Sequence, residues 1–202
     1  MEIQNGNRKL KHLILEFNEG NIQLPPFQRP YVWKIRKTLN LLDSLYREYP
    51  IGAIYLWGPS AGSKLRPKRH PSVGDKHVPF TSFVIDGQQR LTSLIAAFGL
   101  SEISDQSNGR SLQCSIELTT DDSDGDGIRL TRLFHSPANK RDGDGPSDDT
   151  PTRVWLRNLV DDGAIDGLRQ SKKTELEQTH DKKQIGEATG RITKAHEIGG
   201  FA

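Results

Sequence analysis

Cys114 is the only cysteine in 202 residues, so neither an internal disulfide framework nor a cysteine-built zinc cluster can form. A reducing environment is expected. Long apolar runs are also missing: none approaches the roughly 20 residues a membrane-crossing helix requires. No basic-then-apolar leader follows Met1-Glu2-Ile3-Gln4. The expectation is a cytoplasmic chain with no membrane partner. There is no internal repeat or heptad run, and neither sign of charge dominates. A formal net charge of +2 is too mild to mark the whole chain as nucleic-acid binding, so any basic footprint must be local.

What is present, 33% hydrophobic and 27% charged residues, fits one globular domain with a modest core, or a domain with a less ordered tail. Its most informative stretch is Phe83-Val84-Ile85-Asp86-Gly87-Gln88-Gln89-Arg90-Leu91-Thr92. Phe83 to Ile85 read as a short buried strand, and Leu91, Leu94, Ile95 and Phe98 recur at helical spacing, so a tight turn joins strand to helix. The first turn of a helix carries unpartnered N–H groups and the positive end of the dipole, which attract anions. Arg90 adds a cation, Gly87 permits a close turn, Asp86 suits a hydrated divalent cation, and Gln88 and Gln89 offer amide hydrogen bonds. A structural alternative stands beside this: Asp86 as N-cap places Gln89 at the capping-box position. That alternative gives Gln88 and Arg90 nothing to do, and an arginine at a helix start opposes the dipole unless an anion is present.

Upstream, Leu10, Leu13, Ile14 and Phe17 predict an amphipathic helix. The following Leu24-Pro25-Pro26-Phe27-Gln28-Arg29-Pro30-Tyr31-Val32-Trp33 must be extended and stiff, because its prolines forbid a regular helix. Its aromatics serve equally as core anchors; Gln28 and Arg29, on a rigid support, suit a base edge or a phosphate. A second helix, with Ile35, Leu39, Leu42 and Leu45 as its stripe, starts with Lys34, Arg36 and Lys37, cations that oppose its dipole and suit either solvent or an acidic partner. Gly52 to Trp57 predict a strand. The loop from Gly58 to Pro79 holds Lys64, Arg66, Lys68, Arg69 and Lys76 against the single acid Asp75, the densest basic patch in the chain. It suits a DNA backbone or a solvated loop alike. His70 and His77 lack the spacing of a helical ligand pair.

Taken together, Leu24 to Trp33, Tyr49-Pro50-Ile51-Gly52-Ala53-Ile54 and Val84 to Thr92, in this order, closely resemble the amino-terminal domain of GmrSD-type restriction proteins. The resemblance covers about Leu10 to Leu100 well and the remainder in outline. It implies an α/β (α+β) fold related to the ParB and sulfiredoxin group, a small mixed sheet with flanking helices. It also implies a nucleotide-dependent step at Asp86-Gly87-Gln88-Gln89-Arg90, with Gln28, Arg29, Tyr31 and Trp33 near that site or near a DNA-sensing surface. Members of the family act on foreign, often modified, DNA, and usually continue into a His-Asn-His nuclease domain. Here His135, His180 and His196 are scattered, so DNA cleavage by this chain alone is not expected.

Past Leu100, Leu112, Cys114, Ile116 and Leu118 alternate and predict a half-buried strand with Cys114 in the core. Its antiparallel mate is expected from Ile128 to Phe134. Asp122 to Gly127 imitate a calcium loop, but Leu133 stands where the bidentate Glu belongs, so a hairpin turn is expected. Asn139 to Pro151 are loop-like, and Val154-Trp155-Leu156 suit a last strand. From Asp161 the apolar spacing is thin, although Lys172 to His180 have helix-forming composition, which divides the chain into a nucleotide- and DNA-binding domain over 1–160 and a weakly patterned, poorly anchored tail over 161–202, the start of a truncated helical region. Helices are expected near 8–19, 34–48 and 90–99.

The functional expectation is a nucleotide-binding, NTP-hydrolysing domain of a DNA restriction system. Asp86 holds Mg2+ or orients water, Arg90 clamps phosphate, Gln88 and Gln89 position nucleotide or water, and Gly87, Thr92, Gln28 and Arg29 bind nucleotide. Lys64, Arg66, Lys68 and Arg69 contact DNA phosphates, while Gln28, Arg29, Tyr31 and Trp33 discriminate the DNA. Nucleoside triphosphate and Mg2+ are the expected cofactors. DNA, a His-Asn-His nuclease domain or subunit, and a second copy of the chain are the expected partners. The alternatives are a non-catalytic, nucleotide-gated DNA sensor, or a ParB-like nuclease, which ranks lower because no cluster of metal-binding carboxylates is evident.

Overall fold

The computed structural model describes residues 6, 8–60, 63–67, 81–100, 112–118, 134–135, 152–160 and 163–198. In chain order they form α1 (Leu10–Asn18), β1 (Ile22–Gln23), α2 (Ile35–Tyr46), β2 (Tyr55–Trp57), β3 (Ser82–Asp86), α3 (Gln88–Ala97), β4 (Ser115–Glu117), β5 (Phe134–His135) and β6 (Arg153–Trp155). A 3-10 turn (Leu156–Leu159), α4 (Ile165–Leu176) and α5 (Lys182–Ile198) follow. The architecture is mixed α/β, as expected, and no described helix is long and apolar enough to cross a membrane.

Two three-stranded sheets frame the molecule. In the first, β3 lies between β1, parallel with Gln23 opposite Phe83, and β2, antiparallel with Leu56 opposite Val84. In the second, β4 lies between β5 and β6, both antiparallel. The expected pairing of the Cys114 strand with the Phe134 strand is present. The turn expected at Asp122 to Gly127 lies outside the described residues, as do Ile128 to Leu133 and the loop from Asn139 to Pro151.

Helix α3 is the centre of the core. Leu91, Leu94, Ile95, Ala96 and Ala97 are fully buried, and so are Thr92 and Ser93, so the helix is enclosed on nearly every side. Enclosure demands partners for its polar side chains, and Ser93 Oγ meets Tyr31 OH at 2.8 Å. At its far end the Ala97 carbonyl accepts from Cys114 N at 3.0 Å, which ties α3 to the second sheet. Cys114 itself is buried, and burial pushes its thiol pKa well up.

The stretch after Asp161, expected as a thinly patterned helical region, is helical but firmly anchored rather than a loose tail. It forms two helices whose Leu176, Ile185, Ala188, Ile192 and Ala195 are buried in the same core as α3. The stripe is faint in the sequence because two of α5's four buried hydrophobic positions are alanines, which mark a close helix contact without adding much to hydrophobicity. Chain spacing of 185, 188, 192 and 195 is nonetheless that of one helix face.

Helices α1 and α2 end in the same hydrogen-bond pattern, in which the residue after the C-cap takes a left-handed conformation. At α1 that residue is Gly20, with φ 85°; at α2 it is Glu48, with φ 61°. Its N–H donates to Leu45 O at 2.9 Å and Tyr49 N–H to Ser44 O at 2.8 Å. A side chain in this conformation costs about 1–2 kcal/mol, more than the exposed Glu48–Lys194 ion pair at 3.5 Å returns. Glu48→Gly is therefore expected to stabilise the protein by about 0.5–1 kcal/mol, measured by urea denaturation; a lower midpoint would contradict it. Cys114 generates a pH dependence. Its folded pKa lies above the unfolded value near 8.5, so its contribution is complete below that pH and is lost as pH rises beyond it, by up to about 1.4 kcal/mol per unit. Native protein is expected to resist thiol alkylation at pH 8 and to react on unfolding.

Candidate functional site

Strand β3 ends at Asp86, and the chain reverses at Gly87, whose φ of 90° is the left-handed region that glycine enters without strain. Space reinforces the choice, because a Cβ on Gly87 would lie 3.0 Å from Ile54 Cγ1 and 3.2 Å from Ile54 Cα. Helix α3 then begins at Gln88. The capping box considered for this turn does not form: Gly87, not Asp86, is the N-cap, and no side chain caps the helix. Asp86 instead reaches forward one turn, its Oδ2 accepting from Arg90 Nη2 at 3.2 Å.

Gln89 points the other way, into the proline-rich segment. Its Oε1 accepts from Val32 N at 2.9 Å and its Nε2 donates to Pro30 O at 3.0 Å, so one amide serves a donor and an acceptor that no sheet or helix supplies. Gln28 returns the contact, its Nε2 donating to Ile85 O at 2.8 Å and Val84 O at 3.2 Å. Tyr31 is buried against Ser93 and Thr38. Gln28, Tyr31 and Gln89 thus brace the segment against β3 and α3. Tyr31, expected to present an open group to DNA, is thus enclosed, whereas Gln28 and Gln89 are bonded to backbone and still line the pocket above the turn.

Arg90 is held from two sides. Its Nη1 donates to Ile51 O at 2.6 Å, opposite the Asp86 contact, and its side chain is 17% exposed against 68% for Asp86. Gly52, with φ 81°, passes so close that any Cβ there would collide with the guanidinium. Sequence reasoning did not assign this role to Ile51 and Gly52; the Ile51-Gly52 pair inside the quoted motif was the available signal.

Above the turn is a pocket of about 220 Å³ lined by Gln28, Arg29, Trp33 and the whole Asp86–Arg90 turn. Gln88 is only 6% exposed, and its Oε1 is buried with no hydrogen-bond partner. Arg29 is exposed at the mouth and Trp33 is half-buried. Thr92, expected at a nucleotide, is enclosed in the core and does not line the pocket. Lys64 and Arg66 are exposed and do not line it either, while Lys68 and Arg69 lie outside the described residues, as do His70 and His77. Among the described residues no group of three or more His, Cys, Asp or Glu forms a metal cluster, and Asp86 is the one carboxylate among the described residues lining the pocket.

The turn makes a stability prediction. Gly87→Ala forces an L-residue into the left-handed region and against Ile54, so a loss of about 1–2 kcal/mol or more is expected by denaturant titration. An unchanged midpoint would show that the turn can relax without cost.

An uncharacterized protein of Methanocaldococcus jannaschii is 30% identical to this chain over 112 residues, 48% of the chain and 18% of that relative. The chain therefore matches less than a fifth of the length of that curated relative. The family model described as "GmrSD restriction endonuclease, N-terminal domain" matches residues 10–196, from α1 through most of α5, and the chain belongs to this family.

Proposed function

We propose that this chain is the nucleotide-handling module of a DNA restriction system, binding a nucleoside triphosphate by its phosphates at the start of α3 and hydrolysing it. The observation that carries this reading is Gln88: a buried amide oxygen with no partner, in a pocket at an uncapped helix N-terminus. Leaving a buried polar group unsatisfied costs about 1–3 kcal/mol, a cost expected where a ligand completes the bonding. The pocket volume is about 220 Å³. That is room for phosphoryl groups, with sugar and base lying across the open mouth.

In this reading the N–H groups of the first α3 turn donate to phosphate oxygens, as helix N-termini do. Arg90, fixed by Asp86 and Ile51, is a positive charge whose position needs no reorganisation when negative charge develops. Arg29 supplies a second cation from the mouth. Asp86, the exposed carboxylate, suits the water shell of a Mg2+ that arrives with the nucleotide, a cation that when bound neutralises phosphate charge. Gln88 Oε1 accepts a hydrogen bond from the attacking water and so orients it.

Gln88→Leu separates this role from a structural one. Replacing an unsatisfied amide with an apolar side chain of similar size is expected to raise the melting temperature of the ligand-free protein. The same substitution is expected to weaken the melting shift produced by Mg2+-ATP or Mg2+-GTP at least tenfold in apparent affinity, and to abolish phosphate release. Nucleotide response equal to the parent would sink the assignment.

A nucleotide-gated sensor without turnover is the second reading, and one observation favours it. Gln89, in the first turn of α3, is bonded directly to Pro30 and Val32, so a phosphate that shifts this turn also shifts the segment bearing Arg29 and Trp33. Binding without phosphate release, with DNA altering nucleotide affinity, selects this reading.

A further inference from the structure

Building on the phosphate site proposed above, we infer that the Ile51–Gly52 peptide, which lies behind the pocket, is the element that positions Arg90, and that Asp86 is the exchangeable side of the clamp. Neither Ile51 nor Gly52 lines the pocket, so their effect on a ligand runs through Arg90. They are positioning residues.

The two sides of the clamp are unequal. Ile51 O accepts from Arg90 Nη1 at 2.6 Å, a charge-assisted bond to a backbone atom that cannot swing away. Asp86 Oδ2 accepts from Nη2 at 3.2 Å, but that carboxylate is 68% exposed, and ion pairs open to water contribute little. The shorter bond therefore sets the position. When a phosphate enters, Nη2 exchanges Asp86 for a phosphate oxygen, while Arg90 stays where Ile51 holds it. A guanidinium also has more N–H donors than these two bonds use, which suits the pocket that Arg90 lines.

Gly52 makes the short bond possible in two ways. Rotation about its N–Cα bond orients the Ile51–Gly52 peptide plane, and its φ of 81° is open to glycine without strain. A Cβ at this position would also collide with Nη1, the same nitrogen that donates to Ile51 O. One absent methyl group thus serves both conformation and space. The segment has a firm base, because Ile51 and Ile54 pack against the core, Ile54 lies against Gly87, and Tyr55 opens β2 directly opposite Asp86. The support and the turn it serves belong to one paired sheet, so the position of Arg90 is fixed before a ligand arrives.

The test follows the guanidinium itself, by NMR of the isotope-labelled full chain, with the Arg90 Nη–H signals identified by their loss in Arg90→Lys. Parent, Asp86→Ala, Gly52→Asn and Gly20→Asn are compared. Asparagine tolerates the left-handed region better than other side chains, so Gly52→Asn tests space more than strain; Gly20, with φ 85° and outside the pocket lining, is the control. A held guanidinium rotates slowly and shows separate Nη signals. These are expected in the parent, in Asp86→Ala and in Gly20→Asn, and are expected to average in Gly52→Asn. Averaged signals in the parent or in Asp86→Ala overturn the inference, whether or not Gly52→Asn folds. Separate signals in Gly52→Asn, or averaging in Gly20→Asn as well, overturn it too. In parallel, melting shifts with tripolyphosphate and with Mg2+-ATP should show at least a tenfold loss of apparent affinity in Gly52→Asn, and no further loss when Gly52→Asn is added to Arg90→Ala. A loss that persists in the Arg90→Ala background means that Gly52 acts by another route and overturns the inference. No response of the parent to either probe removes the phosphate site proposed above, while the guanidinium signals still decide which side of the clamp holds Arg90.

Discussion

The structure depends on one requirement: backbone polar groups of a proline-rich segment must be satisfied without a sheet or helix to do it. Leu24 to Trp33 cannot pair regularly, because proline lacks the donor and restricts its neighbour. Side-chain amides take the place of a strand partner. Gln89 serves Pro30 and Val32, Gln28 serves Val84 and Ile85 toward the carboxyl end of β3, and Tyr31 closes on Ser93 inside the core. Each bond contributes only about 1 kcal/mol net, but a lost partner leaves buried groups exposed to the full desolvation cost. The segment, the β3 turn and α3 therefore hold one another in register.

That mutual support explains how one short motif divides its labour. Within five residues Asp86 and Arg90 close a clamp across Ile51 and Gly52, Gly87 makes the reversal against Ile54, and Gln89 braces the segment. Gln88 alone is buried without a partner. The two glutamines differ by one position and therefore by about 100° around the helix, enough to send one amide to the backbone of Pro30 and the other to the pocket. Rigid neighbours around an unsatisfied group are the arrangement a binding site needs, since the ligand meets groups already oriented. The uncapped α3 likewise sacrifices local stability at a position that faces into the pocket.

Much of this was legible from one dimension. Periodicity and turn chemistry determined that a strand ending at Ile85 or Asp86 passes directly into a helix carrying Leu91, Leu94 and Ile95 inward, that α1 and α2 are amphipathic, and that Cys114 is buried at the edge of a core strand. The order of the three motifs determined the family. These signals are local, because they follow from the repeat of helix and strand and from what glycine and proline permit.

Only the tertiary structure decided which polar residues are braces and which remain open, because that depends on partners 39 to 62 positions distant, such as Arg90 with Ile51 and Tyr31 with Ser93. Spacing along the chain carries no record of such pairings. It likewise decided that Gly87 rather than Asp86 begins α3, a matter of backbone sign and the nearness of Ile54. The anchoring of the helices after Asp161 was hidden for a related reason. Alanines at 188 and 195 add little hydrophobicity, yet they let α5 approach the core closely, and burial by close approach exists only once a neighbour is in place.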